Sequence, residues 1–244
     1  MTFQNNRGSG FTPESGLPPT SGISARPAVE ASTTYLSHAF VWMFAGLLLT
    51  AAVTFLVQGS QRLADVASSV FLPVLIGQLV LVLAISWGIR RLNATLALGL
   101  FFVYAASLGL TIGLIVTAYS GPSVAAAFLS AAGMFGGAAA YGVVTKRSLA
   151  GIGGYLTMAV IGLIVAMVVN FFLASSALAF AVSLIGVAIF TALTAYHVQM
   201  IQRGALVLAT GSVEKAAVIG ALSLYLDFVN LFLMLLRLFG GGRR

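Results

Sequence analysis

Seven apolar stretches fill this chain from Ala39 onward, and they limit what it can fold into more than any other feature. They run roughly Ala39 to Val57, Val70 to Ile89, Thr95 to Tyr119, Val124 to Val144, Ile152 to Ala174, Ala177 to Tyr196 and Ala217 to Phe239. Each is about the length of helix, about 20 residues, that crosses a bilayer. Inside hydrocarbon no water satisfies backbone N–H and C=O groups, and a helix pairs them internally. With 60% apolar and 7% charged residues, the chain would be insoluble as a water-facing globule. The reading is an all-α membrane protein of seven transmembrane helices, with the lipid bilayer as its first partner.

Residues 1–34 read differently. They are rich in Ser, Thr, Gly, Pro and Asn, carry scattered charges and lack apolar periodicity, so a disordered cytoplasmic tail is expected there, with the seven-helix transmembrane domain at 35–244. No basic start and short apolar core of a secretory signal is present, so the first apolar segment is expected to be retained. The connections around Gly121-Pro122 and at Ser175-Ser176 are short enough to demand tight hairpins between antiparallel neighbours. Two Gly-x-x-x-Gly patterns, Gly109/Gly113 and Gly133/Gly137, suit close approach of helix backbones in lipid.

Lys and Arg in short loops set orientation. Arg7, Arg26, Arg90, Arg91, Lys146, Arg147, Arg203 and Lys215 fall on one side and Arg62 alone on the other, so the N-terminus is expected in the cytoplasm. The net charge of +7 is spread in ones and twos between apolar runs, without the basic stripe that binds nucleic acid. Arg243 and Arg244 would lie outside after seven full spans; a full last span is preferred to a re-entrant one.

The last segment, Gly220 to Gly240, is the unusual one. Read as a helix, it aligns Ser223, Asp227, Asn230, Met234 and Arg237 on one stripe. Asp227 is the only acidic residue in any span. A carboxylate at mid-bilayer depth costs about 2.5 to 3.5 kcal/mol, so it is expected to face the bundle interior or a wet cavity. An ion-contacting or proton-binding role is weighed above a purely structural tie to a neighbouring helix. His197, at the end of the sixth span, is read either as its partner or as an interfacial histidine. Arg237 is expected to snorkel, and Asn230 to bond another helix rather than an ion. Trp42 and Trp87 read as interface anchors.

Enzymatic constellations are lacking. Two histidines, His38 and His197, cannot build a three-histidine zinc site, and no cysteine is available as ligand or nucleophile. No Gly-x-Ser-x-Gly elbow or phosphate-binding glycine loop occurs. Lys146 and Lys215 both lie in loops, which excludes a buried Schiff base. No catalytic residue and no resident cofactor are expected.

Three stretches together resemble the Bax inhibitor-1 (transmembrane Bax-inhibitor-motif) family in its bacterial branch: Leu-Tyr-Leu-Asp-Phe-Val-Asn-Leu-Phe at 224–232, Ala127-Phe128-Leu129 through Thr145-Lys146-Arg147-Ser148-Leu149, and Asn170-Phe171-Phe172-Leu173. The resemblance covers about residues 35–240. It implies seven helices with the last one central and wrapped by the other six, in a bacterial inner membrane, and a pH-sensitive leak for cations that favours calcium. It also implies that Asp227 pairs with a second aspartate in an Ala-Tyr-Asp-x-Gln context near the end of the sixth helix. Here that context reads Ala195-Tyr196-His197-Val198-Gln199. Two carboxylates share a proton because like charges cannot both ionise at contact, whereas acid strengthens a histidine-aspartate ion pair. The pH response is therefore expected to be shifted, lost or inverted. The 202–215 loop is also read as able to change the register between the two helices.

Calcium takes six to eight oxygens. Asp227, with Asn230, Ser223 and backbone carbonyls, would contact a passing cation only transiently; Tyr225, Ser223 and Arg237 are read as gating or structural polar groups. The alternative function is a regulatory membrane protein that binds a membrane-anchored ATP-dependent protease, with residues 1–34 suited to capture.

Overall fold

The structure, a computed structural model, describes residues 25–240. Nine α-helices and one 3-10 turn make up the described part: α1 Ala25–Gly59, α2 Gln61–Ser69, α3 Phe71–Gly88, α4 Ala94–Val116, α5 Gly121–Val144, the 3-10 turn Ala150–Ile152, α6 Gly153–Leu173, α7 Ser176–Gln202, α8 Ala205–Thr210 and α9 Val213–Gly240. Seven of them, all but α2 and α8, are long and apolar enough to cross a membrane. Residues 1–24 of the expected tail lie outside the described residues, and α1 already begins at Ala25.

Local chemistry sets the helix starts. Ser60, Asn93, Ser120 and Ser175 each sit at an N-cap, where the side-chain oxygen accepts a bond from an N–H in the first turn. Asn170 closes the turn between α6 and α7: its Oδ1 accepts from the Ser175 N–H at 3.1 Å, while Ala174 takes a left-handed φ of 47°.

The last helix is the axis of the bundle. Leu224, Tyr225, Leu231 and Leu236 of α9 are fully buried, and α1, α4, α5 and α7 pack on it directly. Helices α3 and α6 complete the wrap behind α4 and α7. In lipid the apolar effect does not drive helices together, so close packing must. Glycines provide it. A Cβ at Gly109 would lie 2.7 Å from Val53 Cβ and 2.8 Å from the Thr50 carbonyl, and one at Gly113 would lie 2.8 Å from Val57 Cβ, so the first glycine pair lets α4 touch α1. A Cβ at Gly142 would meet the Ala195 carbonyl at 2.5 Å, which fixes the approach of α5 to α7. Gly133 and Gly137 have open space on their face, so the second pair makes no close contact among the described residues.

Two segments expected as plain loops are helices. Helix α2 is amphipathic, with only Ala67 buried, and lies between α1 and α3. Helix α8 sits between Gly204 and Gly211, whose φ values of 70° and 77° let the chain turn on either side of it. The two hairpins also differ from one another. Past the Ser175-Ser176 turn α6 packs on α7, but α4 and α5 part beyond the Gly121-Pro122 turn, α4 leaning on α1 and α5 on α7 and α9.

Basic residues gather at one end. Arg90 Nε donates to the Ala209 carbonyl at 3.1 Å, Lys215 Nζ to the Arg90 carbonyl at 3.2 Å, and Arg203 Nη1 to Ser148 Oγ at 2.9 Å. These bonds tie the segment after α3 to α8 and the start of α9, and the end of α7 to the loop before α6, all at one basic end of the bundle.

Candidate functional site

Helix α9 projects successive residues to opposite neighbours, because its turn of 3.6 residues places 223, 227, 230, 234 and 237 on one side and 225, 228, 229 and 232 on the other. The first side faces α7. Met234 fills the space above Gly186, where a Cβ would come within 2.9 Å of its sulfur. Two turns toward the basic end, Asp227 meets His197: Nδ1 and Oδ2 are 2.6 Å apart. With the carboxylate ionised, Nδ1–H donates and Oδ2 accepts, which leaves Nε2 as the ring position for a second proton. Asp227 is buried at 3% exposure, and the His197 side chain is 18% exposed. Among the described residues this is the one ion pair, and no group of three His, Cys, Asp or Glu gathers that could hold a metal ion.

The 202–215 segment sets the two residues level in this chain. Gly204 and Gly211 let α8 fold back so that Gly220 packs on Ile201 and Asp227 comes level with His197. Tyr35 on α1 holds the same region, donating its hydroxyl to the Ile201 carbonyl. The Tyr196 ring lies against Gly153, where a Cβ would come within 2.6 Å, and tilts against the His197 imidazole at 5.3 Å between centroids.

The remaining residues read from the sequence take varied places. Asn230 is half-buried and donates to the Leu226 carbonyl of its own helix at 2.8 Å. Ser223 is half-buried one turn before Asp227. Arg237 is exposed in the last turn of α9, with Nη1 3.7 Å from the Met167 sulfur on α6. Tyr225 points away from Asp227. Its hydroxyl lies 2.6 Å from Thr50 Oγ1, and Thr50 also contacts the Gly46 and Ala105 carbonyls at 2.9 Å. Carbonyls accept only, and Thr50 has one proton, so Tyr225 is the donor in that pair. The Tyr225 ring stands edge-on to Phe101 and Tyr104.

Further buried polar side chains make bonds between segments that the sequence alone did not show. Thr50 is one. Gln78 Nε2 donates to Thr111 Oγ1 at 2.8 Å across α3 and α4. Gln199, two residues from His197 toward the basic end and 3% exposed, accepts from the Leu149 N–H at 2.7 Å and donates to the Arg147 carbonyl at 2.9 Å. It ties the loop before α6 to the segment that carries His197. A lone amide in an apolar run, two residues from a singled-out histidine, was the signal that could have found it.

What the arrangement can do follows from its charge. A buried carboxylate on the axial helix, held by an imidazole that can take one more proton, changes net charge between −1 and 0. It offers a cation one carboxylate, too few oxygens to retain calcium.

Known proteins resemble this chain over most of its length. The family profile described as "Inhibitor of apoptosis-promoting Bax1" matches residues 32–244. "Inner membrane protein YbhL" of Escherichia coli K12 is 44% identical over 216 residues, covering 86% of this chain and 92% of the relative. A Deinococcus radiodurans protein is 44% identical over 217 residues, covering 88% and 94%, and YrjE of Lactococcus lactis is 40% identical over 223 residues, covering 88% and 94%. With six apolar spans packed around a seventh, axial one and a profile match over most of its length, this multi-pass membrane protein belongs to the Bax inhibitor-1 family.

Proposed function

We propose that the protein is a pH-sensitive cation leak, with calcium among the permeant ions, residing in a bacterial inner membrane with its N-terminus in the cytoplasm. The observation that carries this reading is the His197–Asp227 pair: a carboxylate buried on the axial helix, closed by an imidazole at 2.6 Å. Burying a charge in an apolar bundle is costly, and a packing role would be filled more cheaply by a leucine. The pair presents −1 to a passing cation when the imidazole is neutral and 0 when it is protonated. Acid therefore lowers the attraction for cations in this chain.

The test is calcium and potassium flux into liposomes holding the purified full-length protein. Asp227→Asn is expected to abolish most of the flux and all of its pH dependence. Flux and pH profile both unchanged in Asp227→Asn would sink the proposal. Capture by a membrane-anchored ATP-dependent protease, which the family resemblance implies, would act through residues 1–34. Deleting residues 2–30 separates the two roles, since flux should survive the deletion and protease binding should not.

A further inference from the structure

The cleft left where α4 and α5 part is a cavity of about 640 Å3. Its walls are α1, the end of α4 and the start of α5, and its floor is Phe228, Val229 and Phe232 of α9. That floor is the side of the axial helix opposite Asp227, so the cavity is separate from the His197–Asp227 pair.

The cavity opens sideways. Helices α1 and α5 both pack on α9 but scarcely on each other, and the gap between them is flanked by Phe55 at 76% and Phe128 at 50% exposure. Large apolar side chains turned outward on membrane spans face acyl chains, so the medium at this opening is lipid. The lining runs along α1 from Leu47 to Gln58, about 17 Å of helix. One leaflet's share of the hydrocarbon core is about 15 Å.

The wall chemistry is equally selective. Thr54 donates its hydroxyl to the Gly109 carbonyl at 3.0 Å, Thr117 to Leu114 at 2.6 Å, and the Thr50 hydroxyl is taken by Gly46 and Ala105. The protons of the lining threonine hydroxyls are thus spent on backbone, and the inner walls offer an occupant no donor. Polar side chains open to a ligand, the Gln58 amide and the Tyr119 hydroxyl, lie at the end remote from the basic residues. No charged side chain lines the cavity.

We propose that this cavity is a lipid site. It takes one acyl chain of a membrane phospholipid from the leaflet remote from the basic end, entering between Phe55 and Phe128, with ester oxygens beside Gln58 and Tyr119. An occupant of this kind braces α9 from the side opposite Asp227. The inference stands apart from the proposed ion leak, and its test measures no flux.

The full-length protein is reconstituted in vesicles of phosphatidylethanolamine and phosphatidylglycerol with a trace of phosphatidylcholine carrying a diazirine near one acyl terminus. It is then irradiated and labelled residues are mapped. Phe228 and Phe232 are each 7% exposed and reachable through the cavity, whereas Phe171, at 83%, reports ordinary surrounding lipid. Label is expected on Phe228 or Phe232 as well as Phe171. It should be lost from the first two, and kept on Phe171, when Val124→Trp or Ala51→Leu fills the space. Label confined to outward residues such as Phe171 in the unaltered protein overturns the proposal, and that result needs no variant to fold. A second copy of the chain cross-linked over the gap, with Phe228 and Phe232 unlabelled, also overturns it, as does label on them that neither filling substitution reduces.

Discussion

His197 and Asp227 are 30 positions apart in the chain and 2.6 Å apart in space, one on α7 and one on the axial helix. A second carboxylate in place of His197 would change the charges the pair can carry. A neutral imidazole beside a carboxylate carries −1 and gains a proton to reach 0, whereas two carboxylates can reach −2 when both ionise. His197→Asp is therefore expected to raise calcium flux in liposomes most at alkaline pH and to steepen its fall on acidification. An unchanged pH profile in that variant would separate the pair from the flux.

Thr50 and Tyr225 make the corresponding bond on the other side of α9, at 2.6 Å between α1 and the axial helix. Interhelical hydrogen bonds in membranes are worth about 0.6 kcal/mol on average and about 1.7 at most. A double-mutant cycle of Thr50→Val and Tyr225→Phe, read by unfolding in mixed detergent micelles, is expected to return a coupling of about 0.6 to 1.7 kcal/mol. Strict additivity would mean that the ring packing of Tyr225, not its hydroxyl, joins the helices.

Gln199 is a structural partner of the site. Gln199→Leu leaves the Leu149 N–H without its bond and the exposed Arg147 carbonyl with only the longer one from Arg203, and is expected to destabilise the protein by about 1 to 2 kcal/mol. Hydrogen exchange at residues 145–149 should speed up in the same variant. Protection there equal to that of the unaltered protein would show that the loop holds by itself.

The two glycine pairs make a matched comparison. Gly109→Ala drives a methyl against Val53 and the Thr50 backbone and is expected to cost about 1 to 3 kcal/mol. Gly133→Ala meets open space and is expected to stay within about 0.5 kcal/mol of the parent. Thermal unfolding in detergent reads both, and equal effects would contradict the packing of α1 on α4.

Apolar length and the lone charge of Asp227 were legible in the sequence because both are properties of a single segment. Seven spans, their approximate limits and the burial of Asp227 follow from the thickness of hydrocarbon and the cost of a charge inside it. Ser60, with Leu63 and Val66 after it, carried a weak signal for α2, too short and too polar to register as a span. Which polar residues meet was a different matter. Asn230 and Tyr225 sit three and two positions from Asp227, yet one bonds its own helix and the other turns to Thr50. Gly109/Gly113 and Gly133/Gly137 share one spacing, and only the first pair touches a neighbouring helix. The meeting of His197 with Asp227 depended on how far α8 folds back between Gly204 and Gly211. By itself the sequence determined that this chain spans a membrane seven times and buries one acid. Only the tertiary structure decided what that acid faces, because in lipid helices have no apolar drive to choose partners and only close packing selects the face.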